Sequence, residues 1–199
     1  DVPVDTTDYG VINVASMQTK VDNLPPESLN DDELSSLTLM REEEKLARDV
    51  YQVLSAKYNA KIFSNIALAE QTHMDAVLIL LNKYDMEDPV GTNPVGVFTD
   101  PILQFLYDEL IAVGNTGILN AYKVGATIED MDIYDLRTIK LTVDNKDILL
   151  VYDNLEKGSR NHLRSFYGDI LKAGGTYTPE FLTQAEFDAI VNSPMETGF

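Results

Sequence analysis

Apolar positions recur at steps of three and four along most of this chain, the spacing of one buried face of an α-helix. The first such stripe is Met40, Glu44, Ala47, Tyr51 and Leu54. Asn30, with Glu33 three positions on, predicts a capped start, so the first long helix is expected over 31–58. A second stripe, Ile66, Ala69, Val77, Leu80 and Tyr84, predicts a helix over 64–84 with Ser64 as its cap. Residues 85–100 contain Pro89, Gly91, Pro94 and Gly96, and predict a loop long enough to cross the molecule instead of turning back tightly. Thr99-Asp100-Pro101 opens a shorter helix, 101–113, which Gly114 breaks.

A third long stripe runs through Ile118, Ala121, Tyr122, Gly125, Glu129, Asp132 and Leu136. It predicts a helix over 116–131 that continues or kinks towards Lys140. The fourth, Ile148, Tyr152, Leu155, Ser159, His162, Phe166 and Ile170, predicts a helix over 145–172 ending at Gly174-Gly175. Thr178-Pro179 predicts a last helix over 179–191. Residues 1–30, with Pro25-Pro26 and no helical period, read as an irregular leader. No period-two alternation competes with this reading. The expectation is therefore an all-α protein: a leader over 1–30, a four-helix bundle over 31–175 and a C-terminal helical tail over 176–199.

Each long stripe is interrupted by polar residues. They are Glu44 on the first, Glu70 and His73 on the second, Glu129 and Asp132 on the third, and His162 on the fourth. Glu70 and His73 are three apart and share a helix face. These are two kinds of group that cost free energy when aimed at a core without a partner, and a metal ion is a usual partner for both. Inward carboxylates and Glu-x-x-His pairs on facing helices are how bundles build two-metal sites. Each residue also has a structural reading. Glu44 belongs to the charge run Glu42-Glu43-Glu44, and such runs are usually solvated. His73 and His162 fit hydrogen-bonded core positions. Asp132 fits a cap for 133–140, and Glu129 fits an ion pair with Arg48 or Arg160.

Composition narrows the function class. The 199 residues are 44% hydrophobic, with net charge −18, and the pI is about 4.2. Such a surface repels nucleic acid and anionic lipid and favours cations or basic partners. No apolar run approaches the roughly 20 residues of a membrane span. Cysteine is absent, which excludes disulfides and thiolate metal sites. The acidity and the polar leader favour an exported protein over a cytoplasmic one. No loop carries the ligand spacing of an EF-hand; Asp85–Asp88 lacks it.

The segment Glu44-Lys45-Leu46-Ala47-Arg48-Asp49-Val50-Tyr51 resembles the first ligand helix of rubrerythrin-type proteins, and Glu70-x-x-His73 resembles the second. With Gly-Ser-Arg-Asn-His at 158–162, the set resembles the ferritin-like superfamily, and more narrowly the family called domain of unknown function 2202, over about 37–171. The resemblance implies a ferritin-like four-helix bundle with a crossover connection and short extra helices. It implies one or two metal ions, iron first and manganese or zinc next, with ferroxidase-, peroxidase- or oxidase-type chemistry on oxygen or peroxide, and a homodimer by analogy. Glu44, Glu70 and Glu129 would then chelate or bridge, and His73 and His162 would be nitrogen ligands. The chain departs from that pattern on the fourth helix, where Ser159 stands in place of the Glu three residues before the second His. Glu156 lies roughly 120° around that helix from His162 and reaches the site only from the flank. On this resemblance, Asp132 or Glu156 would be the variable carboxylate. Without cysteine, this sequence holds no rubredoxin-like electron source. The alternative is a non-catalytic bundle, a binding or structural module with a degenerate metal site.

Overall fold

The computed structural model describes residues 9–198. Among them are seven helices and no strand: α1 (Val14–Asp22), α2 (Asp31–Tyr58), α3 (Lys61–Lys83), α4 (Pro101–Gly114), α5 (Ile118–Ile139), α6 (Lys146–Lys172) and α7 (Gln184–Val191). The all-α expectation holds. No helix among these residues is long and apolar enough to cross a membrane.

Local chemistry explains where the helices begin. The Asn30 side chain accepts from the Glu33 N–H, and the Glu33 carboxylate accepts from the Asn30 N–H, so α2 starts in a capping box as its sequence predicts. It ends at Asn59, which sits in the left-handed region at φ 51°. Helix α3 begins at Lys61, before Ser64, whose hydroxyl donates to the Lys61 carbonyl inside the first turn instead of capping it. Helix α5 is unbroken through Asp132, which therefore caps nothing. Helix α7 starts at Gln184, not at Pro179, with Thr183 and Glu186 as its capping box. The preceding N–H groups of Glu180, Phe181 and Leu182 are spent on the Asp130 carboxylate of α5.

The leader reading over 1–30 changes within the described residues, 1–8 lying outside them. Residues 14–22 form α1, capped by Asn13, with Met17 and Val21 buried against α3 and α6. A nine-residue helix with two inward positions shows too little period to be read from sequence.

The four long helices α2, α3, α5 and α6 enclose a common interior, with contacts α2–α3, α3–α6, α6–α5 and α5–α2. That interior holds two apolar layers. One contains Val50, Leu54, Phe63, Ile66, Val124 and Phe166. The other contains Leu37, Met40, Val77, Leu80, Leu136 and Leu155. Along α2 and α6 the chain passes from the second layer to the first, and along α3 and α5 from the first to the second. Helices α3 and α5 therefore run the same way, and their connection must travel back along the molecule. Residues 85–100 and α4 do this by crossing the outer face of α2 and docking on α2 and α5.

That crossing buries a stretch that reads as solvated. Arg41, Glu42, Glu43, Glu44 and Lys45 are all at most 5% exposed. Arg41 grips Asp88 through two N–H groups, at 2.9 and 2.8 Å. Glu42 accepts from the Thr99 and Asp100 N–H groups at 2.6 and 2.9 Å. Lys45 pairs with Asp49, donates to the Pro94 carbonyl and lies over the Phe98 ring.

Candidate metal centre

Between the two apolar layers lies a polar one, built from a single turn of each long helix. Glu44, Glu70 and His73 place ligand-type atoms within 4.8 Å of one another, and so do Glu70, Glu129 and His162. Glu70 belongs to both triads. Its Oε2 lies 2.8 Å from His73 Nδ1 and its Oε1 lies 2.9 Å from His162 Nδ1. The flanking carboxylates complete a near-symmetric set: Glu44 Oε2 is 3.1 Å from His73 Nδ1, and Glu129 Oε2 is 3.2 Å from His162 Nδ1. The two imidazole rings stack with centroids 5.5 Å apart. All five side chains are at most 2% exposed.

Burial sets the electrostatics. It pushes Glu44 up to about 8 against the pull of His73, and Glu129 up to about 7 against the pull of His162. Asp132 rises well above the carboxylate range, from burial first and then from Glu129 and Glu44. For Glu70, burial is outweighed by the two imidazoles, which hold it below the usual range. Burial works against the charged imidazoles as well, yet Glu70 and Glu44 lift His73 to about 10, and Glu70 and Glu129 lift His162 well above its ordinary value. Protein groups alone thus shift Glu44, Glu129 and Asp132 towards their protonated forms, with Glu70 as the exception.

The polar layer also contains unmet bonding capacity. Both oxygens of Glu70 and both of Asp132 are buried with no hydrogen-bond partner among the described residues. The Glu70 oxygens approach the Nδ1 atoms closely but without hydrogen-bond alignment. Lone-pair atoms that converge without an aligned hydrogen bond between them are what a shared cation would satisfy. The donor set is nitrogen and carboxylate oxygen without sulfur, which suits iron, manganese or zinc.

The other expected positions separate. Asp132 is 3% exposed, one turn beyond Glu129, and outside both triads. Glu156 stands apart from the cluster. Arg137 Nε and Arg160 NH1 donate to its Oε1 at 2.9 and 2.6 Å, and Lys140 donates to its Oε2 at 2.5 Å. Against burial, Lys140 and Arg137 keep it below its ordinary range. Ser159 faces inward, but its hydroxyl donates to the Leu155 carbonyl within α6. Glu129 pairs with neither Arg48, which holds Asp49 and Gln71, nor Arg160, which holds Glu156 and Glu196.

Three further features border the cluster, and the last two escape a sequence reading. The Tyr51 hydroxyl donates to Glu129 Oε1 at 2.5 Å. Glu43, beside Glu44, is buried with an unpartnered Oε2. The backbone at residues 9–10 meets both histidines from outside the four-helix interior. The one signal for that last contact is Gly158, a glycine in the middle of a long helix, where it costs about 1 kcal/mol against Ala and so points to close approach.

Residues 33–194 match the family model described as an uncharacterized protein domain, DUF2202. The chain is 47% identical over 178 residues to the uncharacterized protein MJ0754 of Methanocaldococcus jannaschii, covering 89% of this chain and 96% of that protein. It is also similar to a crystal structure of the hypothetical protein MJ0754 from Methanococcus jannaschii, with a TM-score of 0.86 and 48% identity, over 87% of this chain and 99% of the other.

Proposed function

The chain belongs to the DUF2202 family, and from that premise we propose that it is a ferritin-like four-helix bundle holding a carboxylate-bridged pair of transition-metal ions, iron first and manganese or zinc next. The observation that carries this reading is Glu70, whose two unpartnered oxygens each face a different histidine Nδ1. Glu44 and His73 would hold one ion, Glu129 and His162 the other, with Glu70 shared between the two groups. Asp132, buried one turn beyond Glu129, would add a fourth carboxylate nearby, so that four negative charges would offset two divalent cations. Iron bound there would supply the redox change for ferroxidase- or oxidase-type chemistry on oxygen or peroxide.

The chain's own residues prepare that site. The apolar layers above and below exclude water from it. The Tyr51 hydroxyl keeps its proton, because burial first and the Glu129 charge second push it well above the phenol range. It therefore orients Glu129 as a donor and leaves Oε2 of that carboxylate facing His162.

The test is metal content by plasma mass spectrometry on protein purified without a metal-affinity tag, wild type beside the Glu70→Ala/His73→Ala double variant. About two ions per chain in the wild type, absent from the variant, are expected. No metal in the wild type, and an unchanged melting temperature after Fe2+ is added back, would overturn the reading. Ser159 in place of a carboxylate would then be the mark of a degenerate site in a non-catalytic structural or binding module.

A further inference from the structure

We infer that residues 9–12 are a built part of this centre: a strap whose backbone carbonyls hold both histidine rings as Nε2–H donors and so keep each Nδ1 facing the carboxylates. The inference rests on the metal reading above for its purpose, and on the strap's own geometry for its existence. The strap lies outside the residues matched by the family model, 33–194.

Three independent observations carry it. The first is the pair of contacts. His162 Nε2 lies 2.5 Å from the Tyr9 carbonyl oxygen and His73 Nε2 lies 2.9 Å from that of Gly10. A carbonyl oxygen only accepts, so both Nε2 atoms carry the proton. Successive carbonyls of an extended chain point to opposite sides. Gly10 breaks that alternation at φ +74°, a conformation open to glycine, and both carbonyls meet the stacked rings.

The second observation is the room made for this approach. A Cβ at Gly10 would stand 2.6 Å from Gly158 Cα and 3.2 Å from His162 Nε2. A Cβ at Gly158 would stand 2.5 Å from His73 Cε1. Two glycines from distant parts of the chain thus open one passage through which the strap reaches the rings.

The third is the anchor. The Ile12 N–H donates to Thr72 Oγ1 at 2.9 Å, and Thr72 precedes His73 on α3. Ile12 is 3% exposed, and α1 follows at once, docked through Met17 and Val21. Tyr9 lines a surface cavity of about 590 Å³ and Gly10 one of about 210 Å³, while both rings behind the strap are 0% exposed. Groups that hold the far nitrogen of a ligating imidazole fix its orientation, and losing them typically weakens metal binding about 10- to 100-fold.

The experiment uses the full chain carrying Gly10→Val, which changes no Glu or His side chain. In metal-free wild-type protein the two ring Nε2–H protons are expected to appear in 1H–15N spectra as slowly exchanging signals; in the variant they should exchange with solvent. Titration with Co2+, followed by its visible absorption, should give about 10- to 100-fold weaker binding in the variant. If circular dichroism shows Gly10→Val misfolded, Thr72→Val decides. It keeps the side-chain volume, removes the acceptor for Ile12 and should move both readouts in the same direction by less. Wild-type ring protons that exchange freely would overturn the inference. So would variants that bind Co2+ like the wild type with both protons still protected. Protected protons in a wild type that binds no Co2+ would leave the strap standing and remove the metal reading instead.

Discussion

Two sets of buried carboxylates sit within a few turns of each other in this protein and meet opposite fates. Asp130 and Glu129 are neighbours on α5, and both are 0% exposed. Asp130 is saturated: it accepts from the Tyr177 hydroxyl and from the N–H groups of Glu180, Phe181 and Leu182. Glu33, Glu42, Asp49 and Asp147 are similarly occupied, by backbone N–H groups, hydroxyls or cations, and each ties two segments together. The inward set, Glu70 and Asp132 above all, has oxygens that accept no aligned hydrogen bond among the described residues. The difference teaches what each set is for. A saturated buried carboxylate staples the fold, because its desolvation is offset where it stands. An unsaturated set of carboxylates and imidazoles, converging on itself, suits the pair of cations proposed for it.

The widest contrast should come from exchanging the two losses. Glu70→Ala is expected to abolish uptake of transition metal, a larger effect than the roughly 100-fold upper range for losing an outer partner. Asp130→Ala should leave uptake intact and cost about 3 kcal/mol or more, since it strands several buried donors. Metal titration and urea unfolding of both variants measure this. Equal effects on both readouts would erase the distinction between the sets.

Next in size is Gly158→Ala. The added methyl meets the His73 ring, so overpacking of about 1–3 kcal/mol is expected, together with weaker metal binding. A variant as stable as wild type, with unaltered affinity, would mean that the ring has slack and that its position is not specified by this glycine.

Asp132→Asn should change the stability of metal-free protein by less than about 1 kcal/mol. Burial and the neighbouring carboxylates already keep Asp132 protonated, and the amide has nearly the same shape. The same variant should bind metal more weakly. A large loss of stability in the absence of metal would place Asp132 in the saturated class after all.

The smallest effect belongs to the tail. Glu196 is held by Arg160 and Arg164, which lower it from 4.5 to about 2. Its folded value is the depressed one. Its contribution to stability is therefore present above pH 4.5 and is lost as pH falls through 2. The site is partly exposed, so the contribution should be below about 1 kcal/mol. Melting temperatures of wild type and Glu196→Gln should converge across that window. Parallel curves would show that the ion pair contributes nothing to pH dependence.

Several parts of this arrangement are legible in the sequence. The Asn30–Glu33 capping box and the helix over 31–58 follow from local hydrogen bonding alone. Glu44, Glu70, His73, Glu129 and His162 could be singled out because each breaks an apolar stripe in phase with it, and the structure brings those five together. Glu156, a flanking ligand candidate from sequence although out of phase, pairs instead with Arg137, Lys140 and Arg160. Local signals failed where distant segments compete for a residue. Glu42 and Glu43 read as solvated because nothing near them in sequence announces the loop that covers them. Helix α7 starts late because Asp130, some fifty residues away, takes the N–H groups that precede it.

Sequence by itself determined the all-α class, the four long helices and the face each turns inward, because a 3.6-residue period and its caps are encoded within a few turns of chain. Only the tertiary structure decided which acids share a site, which are stapled shut, and that a strap of backbone reaches the two histidines. Those outcomes depend on desolvation and on hydrogen-bond partners brought from 52 to 153 residues away, as with Asp130 and Leu182 or His162 and Tyr9. No local pattern carries that information, because the free energy of a buried charge is set by whatever finally surrounds it.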